Sequence, residues 1–174
     1  MIHHRKDHAT YKILYSVCAT NCGNLKAARG FVTDGEVGLS EAFSSDLPLA
    51  THLRCFKHLE SNCRAKLHSV GIQSRKDQSF FLRKVFGLKG KIRSILDAED
   101  EDELKELLEA AKEEIENIET TLASGQSEKY NPVFYDYILS HYDMMRDNMI
   151  CNVRRQAGLP DGSDGKPGRC YTYE

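Results

Sequence analysis

Long hydrophobic runs are missing from this 174-residue sequence. No stretch approaches the roughly 18 consecutive apolar residues that a membrane-spanning helix needs. The basic, histidine-rich start MIHHRKDH is not followed by the apolar segment of a secretory signal peptide. The six cysteines are scattered and lack a secretory context, so a disulfide framework is not expected. These absences indicate an intracellular protein that spans no membrane.

Common catalytic signatures are also missing. The sequence has no glycine-rich phosphate loop, no Cys-x-x-Cys redox pair, no convincing nucleophile–base pair and no internal repeat. The formal net charge of −2 argues against strong nonspecific DNA binding by the chain as a whole. The remaining functional signals are the distribution of charge and a few isolated polar residues.

Charge is divided into two blocks along the chain. Residues 52–93 carry eleven Lys or Arg against two acids, and residues 94–119 carry two Lys against twelve acids. The blocks either form two solvated faces that partly neutralise each other, which we favour, or leave the basic block facing a polyanion. Phenylalanines accompany the basic residues at a helical spacing that is typical of a core. The basic candidates are Arg54, Lys57, Arg64, Lys66, Arg75, Lys76, Arg83 and Lys84.

Hydrophobic periodicity predicts an α/β protein in which short strands come first and helices follow. Strands are predicted near 30–34 and 49–55. Helices are predicted over 8–20, through 37–43, over 56–70, from a Ser74 cap to Gly87, over 97–122, and from an Asn131 cap to Gly158. This order suggests either two domains or one α/β fold with a helical insertion.

The acidic segment has the strongest helical pattern in the sequence. Its acids at 97–103 lie where the dipole at the start of a helix favours negative charge. One apolar stripe is expected to face the core. The stripe consists of Leu104, Leu107, Leu108, Ala111, Ile115, Ile118 and Leu122.

Two short motifs could carry chemistry. Asp34 follows the first predicted strand in FVTDGE, where Asp-Gly is either an ordinary turn or a carboxylate at the open end of a sheet. Cys55 and His58 follow the second predicted strand and could be two metal ligands, with Cys18 and Cys22 completing a zinc site. The favoured interpretation is a thiol and an imidazole that brace the strand–helix junction.

The order of these motifs resembles the catalytic core of Mutator-like element (MULE) transposases. The matching stretches are FVTDGEVGLSEAF, LPLATHLRCFKHLESNCRAKL, the acidic helical segment and MICNVRRQAGLP…YTYE. The resemblance implies a ribonuclease-H-like fold, a nuclear location, DNA as the partner, and Mg²⁺ or Mn²⁺ as the cofactor. By the same resemblance, Asp34 is the second catalytic carboxylate, and Cys55 and His58 are the family's C-x-x-H pair. Glu174 is a weak match for the third carboxylate, because only Tyr171 and Thr172 of its surrounding segment agree.

The family's first catalytic Asp lies on a strand upstream of the segment that MIHHRK resembles. The resemblance therefore implies an incomplete core that holds no metal stably and cuts no DNA alone, because two-metal chemistry needs several carboxylates. It also implies an unpaired edge on the 30–34 strand and association with another chain, including self-association. The expected organisation is a partial ribonuclease-H-like core at 1–74, a helical insertion at 75–160 and a loop or disordered tail at 161–174.

Two other functions are compatible with the sequence. In the first, the chain is a non-catalytic module, and the basic block or the helix at 97–122 contacts DNA or a protein. In the second, it is a small zinc protein, and zinc is the less favoured cofactor.

Overall fold

Eight α-helices and one two-stranded sheet form the part of the chain that this computed structural model describes, which is residues 7–87, 93–123 and 130–159. The elements are α1 (His8–Asn21), β1 (Gly30–Thr33), α2 (Val37–Asp46), β2 (Thr51–Arg54), α3 (Phe56–Ser69), α4 (Arg75–Phe86), α5 (Glu101–Ala123), α6 (Phe134–Leu139), α7 (Tyr142–Asn148) and α8 (Cys151–Gln156). Short 3₁₀ turns lie at Leu25–Ala27 and Ile95–Asp97. The predicted mixture of short strands followed by helices is confirmed at this level.

The two strands pair in parallel through the connection that contains α2. Val32 lies opposite Leu53 in the register, and Thr33 lies opposite Arg54. Helices α7 and α8 pack against β2, and the Asn148 side chain donates a hydrogen bond to the His52 carbonyl at 3.1 Å. The outer edge of β2 is therefore covered.

The main hydrophobic core lies among the helices that follow the sheet. Its buried cluster runs from Leu59 on α3 to Ile150 before α8, and Phe81 meets Phe134 edge-to-face with ring centroids 5.2 Å apart. The domain boundary at residue 74 stays a prediction, although this cluster includes residues on both sides of it.

Helix α4 begins and ends where its local sequence predicts. The Ser74 hydroxyl accepts the backbone N–H of Asp77 at 3.5 Å, and Gly87 ends the helix with a φ of +76°. Glycine suits that position because a side chain resists positive φ.

Ion pairs join the basic and acidic blocks of the sequence. Lys84 on α4 contacts Glu114 on α5, and Arg93 contacts Glu103. This is the arrangement that two partly neutralising faces would produce. Both pairs are at the surface, where such contacts contribute little to stability individually.

The apolar stripe predicted on α5 is wrong at its last member, Leu122, whereas Ile118 packs against the core. Leu122 is 39% exposed, whereas Glu119 and Ala123 are fully buried. From hydropathy alone, a glutamate is expected to lie outside the core. Glu119 is nevertheless buried, because its carboxylate accepts hydrogen bonds from the segment that begins α6.

The helix predicted from Asn131 also begins too early. Helix α6 starts at Phe134, where one carboxylate oxygen of Glu119 accepts the N–H of Val133 at 3.0 Å and the other accepts the N–H of Phe134 at 2.8 Å. A distant side chain therefore satisfies the first N–H groups of this helix, which a local cap would otherwise satisfy.

The prediction of one continuous helix from Asn131 to Gly158 is also wrong in another respect. The structure has three helices there, α6, α7 and α8. Between α6 and α7, the N–H of His141 bonds to the carbonyl of Ile138, which is a tighter turn than the α-helix has. Between α7 and α8, Ile150 is extended and the N–H of Cys151 donates to the Ala98 carbonyl at 2.9 Å. Packing against the turn before α5 thus interrupts a sequence with helical periodicity.

Several predictions lie outside the described residues. They are the tail at 161–174 and Glu174 as a third carboxylate, together with its neighbours Tyr171 and Thr172. Among the helices of the described ranges, none is both long enough and apolar enough to cross a membrane.

Candidate functional site

The candidate site lies at the carboxyl end of β1. Asp34 is exposed there, and its side chain accepts the N–H of Glu36 at 3.1 Å. Gly35 has a φ of +107°, and the Arg54 guanidinium lies where a side chain of residue 35 would begin. Glycine is therefore required on conformational grounds, because other residues resist this positive φ. The turn leaves the Asp34 carboxylate open to solvent at the end of the sheet.

The second motif meets the first at this edge. The N–H of Cys55 donates to the carbonyl of Thr33 at 2.9 Å, which is the residue before Asp34. Cys55 is half-buried directly before α3, and His58 is exposed in the first turn of that helix. Two motifs that lie about twenty residues apart in the sequence are neighbours in space, because the strands that precede them are parallel.

Tyr11 on α1 contributes a hydroxyl group to the candidate site, although the sequence predicted only that this residue lies in a helix. Its hydroxyl bonds to the Glu36 carboxylate, which raises the pKa of Tyr11 to about 12, with smaller contributions from burial and from Asp34 and Asp7. Tyr11 therefore remains a protonated donor at neutral pH. Its helical spacing with Tyr15 predicts only the helix over 8–20, and the structure shows both tyrosines buried.

His52 braces the two strands. Its Nε2 lies 2.8 Å from the Thr33 hydroxyl, and its ring stacks on Phe31 with centroids 4.8 Å apart. Burial, and then the charge of Arg54, lower the pKa of His52. The imidazole is thus held neutral as part of the sheet.

The metal ligands suggested by the sequence do not converge in the structure's described ranges. There, no three His, Cys, Asp or Glu side chains lie close enough together to hold a metal ion. Cys18 and Cys22 lie at the end of α1, and all five cysteines of those ranges are free thiols. Within those ranges, Cys18 and Cys22 therefore do not join Cys55 and His58 in a four-ligand zinc site.

Several residues of the basic run make contacts within the protein. Arg64 bonds to Glu60 at 2.7 Å, and the Lys66 ammonium lies 5.9 Å from the centre of the Tyr137 ring. Lys57 is exposed in the first turn of α3. The candidates thus divide between residues used by the fold and residues directed to solvent.

Helix α4 directs part of the basic run to solvent. Arg75, Lys76 and Arg83 are all exposed. Lys76 and Arg83 lie on the side opposite the buried residues Phe81 and Val85, as the 3.6-residue period requires, and Arg75 is the first residue of the helix. None of the three forms an ion pair with another described residue. This set, Arg75, Lys76 and Arg83, is the basic stripe of α4.

Comparison with known proteins adds no family assignment. No protein-family model, curated protein or solved structure matches the chain. The similarity to MULE transposases therefore stays a prediction from the TDGE and C-x-x-H motifs.

Proposed function

We propose that this chain is part of a MULE-type transposase core of ribonuclease-H-like ancestry, which acts on DNA in the nucleus. The contact between the Cys55 N–H and the Thr33 carbonyl supports this proposal most directly. It brings TDG and C-x-x-H together at the carboxyl end of parallel strands, the edge where α/β proteins commonly build their sites. The exposed Asp34 at this edge corresponds to the second carboxylate of the family.

The same edge has too few free carboxylates for strand cleavage. Two-metal catalysis requires ligands that hold two cations about 3.5–4 Å apart. The Glu36 carboxylate is engaged by Tyr11, and the Arg54 guanidinium lies against Gly35 next to Asp34. We therefore propose that this polypeptide alone is inactive in cleavage and in strand transfer.

The purified chain should leave DNA intact in the presence of Mg²⁺ or Mn²⁺. Supercoiled plasmid and end-labelled duplex should show no products above the buffer control, and the Asp34→Ala variant should give the same result. Nicking by the original chain that disappears in Asp34→Ala would show that a complete active site exists, and would overturn the proposed inactivity.

The ancestry itself is tested by the nucleotide sequence on either side of the coding region. The proposal expects an upstream frame that encodes a strand bearing an Asp, or a downstream frame that supplies a Glu. Flanking sequence with neither, in several related genomes, would count against transposase ancestry.

A second candidate function is binding to a polyanion without cleavage. The basic stripe of α4 favours it, because three cations face solvent without an acidic partner among the described residues. Phosphate contacts of this kind provide affinity without sequence preference and weaken as salt rises.

Labelled duplex DNA should therefore be retarded by the chain at low salt and released as salt is raised. Reversing two charges in Lys76→Glu/Arg83→Glu should weaken binding by about tenfold or more, given the usual phosphate contribution to affinity. Lys105→Glu is the matched control for each single reversal, Lys76→Glu and Arg83→Glu, because Lys105 already pairs with Glu101 on α5. Equal loss in Lys105→Glu and in the single reversals would show that only net charge matters.

A further inference from the structure

Arg154 on α8 is buried without a close anionic partner among the described residues. The residue is only 3% exposed. The one described carboxylate within reach is that of Asp97, whose Oδ1 lies 4.0 Å from Nη2 of Arg154, while its Oδ2 accepts two hydrogen bonds from Ser94. A buried guanidinium is costly unless hydrogen bonds and a nearby anion compensate its charge. The charge of Arg154 is therefore only partly compensated.

One edge of this guanidinium contacts the thiol of Cys151. Nη2 of Arg154 donates a hydrogen bond to the sulfur at 2.8 Å, and Cζ lies 5.2 Å from the centre of the Phe56 ring. Nε is on the same edge of the planar group as Nη2, and it is buried with no hydrogen-bond acceptor in the described part of the chain. A single sulfur atom thus uses one donor of an edge that can bind two oxygens of one anionic group, as arginine binds a carboxylate.

The backbone holds Cys151 in place beside this edge. Cys151 is the first residue of α8 and Arg154 follows three positions later, so the two side chains lie on the same side of the helix. The N–H of Cys151 donates to the Ala98 carbonyl at 2.9 Å. The residue is a free cysteine that is 6% exposed. A positively charged environment is typical of reactive cysteines, and burial restricts the reagent to a small molecule.

We propose that Cys151 is a site of oxidation by hydrogen peroxide, and that the Nε–Nη2 edge of Arg154 holds its sulfinate form. In the first step the sulfur bonds to one peroxide oxygen, the O–O bond breaks, and the other oxygen leaves as water with the thiol proton, which gives the sulfenic acid. A second peroxide molecule adds the second oxygen in the same way and releases water and a proton. Each step oxidises the sulfur by two electrons and reduces one peroxide. The two sulfinate oxygens accept hydrogen bonds from both donors and supply the missing negative charge. This oxidation site does not depend on the proposed function.

The chain contains its own controls for this oxidation. Cys63 is fully buried, and burial followed by the charge of Glu60 raises its pKa to about 12, so it tests whether a buried thiol reacts without a guanidinium beside it. Cys22 is exposed, so it tests whether access alone decides.

Brief treatment of the purified full chain with hydrogen peroxide tests the site. The remaining thiols are alkylated in denaturant, and mass spectrometry of the peptides locates the oxygen atoms. We expect the sulfinic form of Cys151, two oxygens heavier, to accumulate about tenfold or more faster than any oxidation of Cys63 and ahead of that of Cys22. Oxidation of Cys22 ahead of Cys151, or similar oxidation of Cys63 and Cys151, would overturn the proposal.

Two arginine variants test the role of the guanidinium edge. Arg154→Lys keeps a positive charge but removes the two-donor edge, so it should lower the yield of the Cys151 sulfinate about tenfold. Arg155→Lys is the matched control and should leave the yield unchanged, because the neighbouring Arg155 pairs with Glu99 instead. Circular dichroism checks that both variants fold. If Arg154→Lys is unfolded, the comparison of the three cysteines in the original chain decides. A folded Arg154→Lys variant with the original yield would contradict the assignment of the sulfinate to this edge.

Discussion

Replacing Glu119 by alanine should lower the free energy of unfolding by about 3–5 kcal/mol, since each buried donor left without an acceptor costs about 1–3 kcal/mol. The fully buried Glu119 carboxylate accepts hydrogen bonds from the Tyr130 hydroxyl at 2.5 Å and from the N–H groups of Val133 and Phe134. Alanine removes all three acceptors and leaves a cavity. Chemical denaturation followed by circular dichroism measures the change.

Two further variants separate the role of the carboxylate from that of general helix stability. Glu119→Gln keeps the side-chain volume but replaces one acceptor oxygen by an NH₂ donor, so it should also destabilise, by about 1–3 kcal/mol. Glu113→Ala changes an exposed glutamate on the same helix and should stay within about 0.5 kcal/mol of the original chain. A loss below about 1 kcal/mol for Glu119→Ala would contradict the role assigned to the carboxylate.

Replacing Phe134 by alanine should cost about 3–5 kcal/mol, the usual range for a fully buried phenylalanine. Its ring is completely buried and meets Phe81 at an interplanar angle of 72°. Truncation empties the space between α4, α5 and α6. Thermal and urea unfolding should both report the loss.

Leu139→Ala on the same short helix is the matched control for this prediction. Leu139 is 44% exposed, so its truncation should cost less than about 1 kcal/mol. A double-mutant cycle of Phe81→Ala with Phe134→Ala should give a coupling of about 0.5–1.5 kcal/mol for the edge-to-face pair. Similar losses for Leu139→Ala and Phe134→Ala would show that the core is not centred on this pair.

The parts of the fold that were predictable are those with local causes. Ser74 and Gly87 bound α4 because a serine cap and a positive-φ glycine act within a few residues of themselves. Leu59 and Cys63 mark the buried face of α3 by spacing alone. For the candidate site, the sequence placed Asp34 after a strand, and the structure has it there.

The parts that were missed depend on contacts between distant residues. Tyr11 contributes to the site only because α1 carries it to Glu36, which lies 25 positions along the chain. The division of the C-terminal helical segment depends on bonds such as that from Cys151 to Ala98. A pattern of hydrophobic spacing contains no information about such partners, so it predicted one continuous helix.

By itself, the sequence determined the strands and the helices as far as α5, because propensity, caps and periodicity act over a few residues. Only the tertiary structure decided that Glu119 is buried and that Cys55 lies beside Thr33. Each of these depends on which elements pack together. Burial and hydrogen-bond satisfaction are properties of the assembled chain, and a carboxylate is buried where three donors converge on it, whatever its hydropathy.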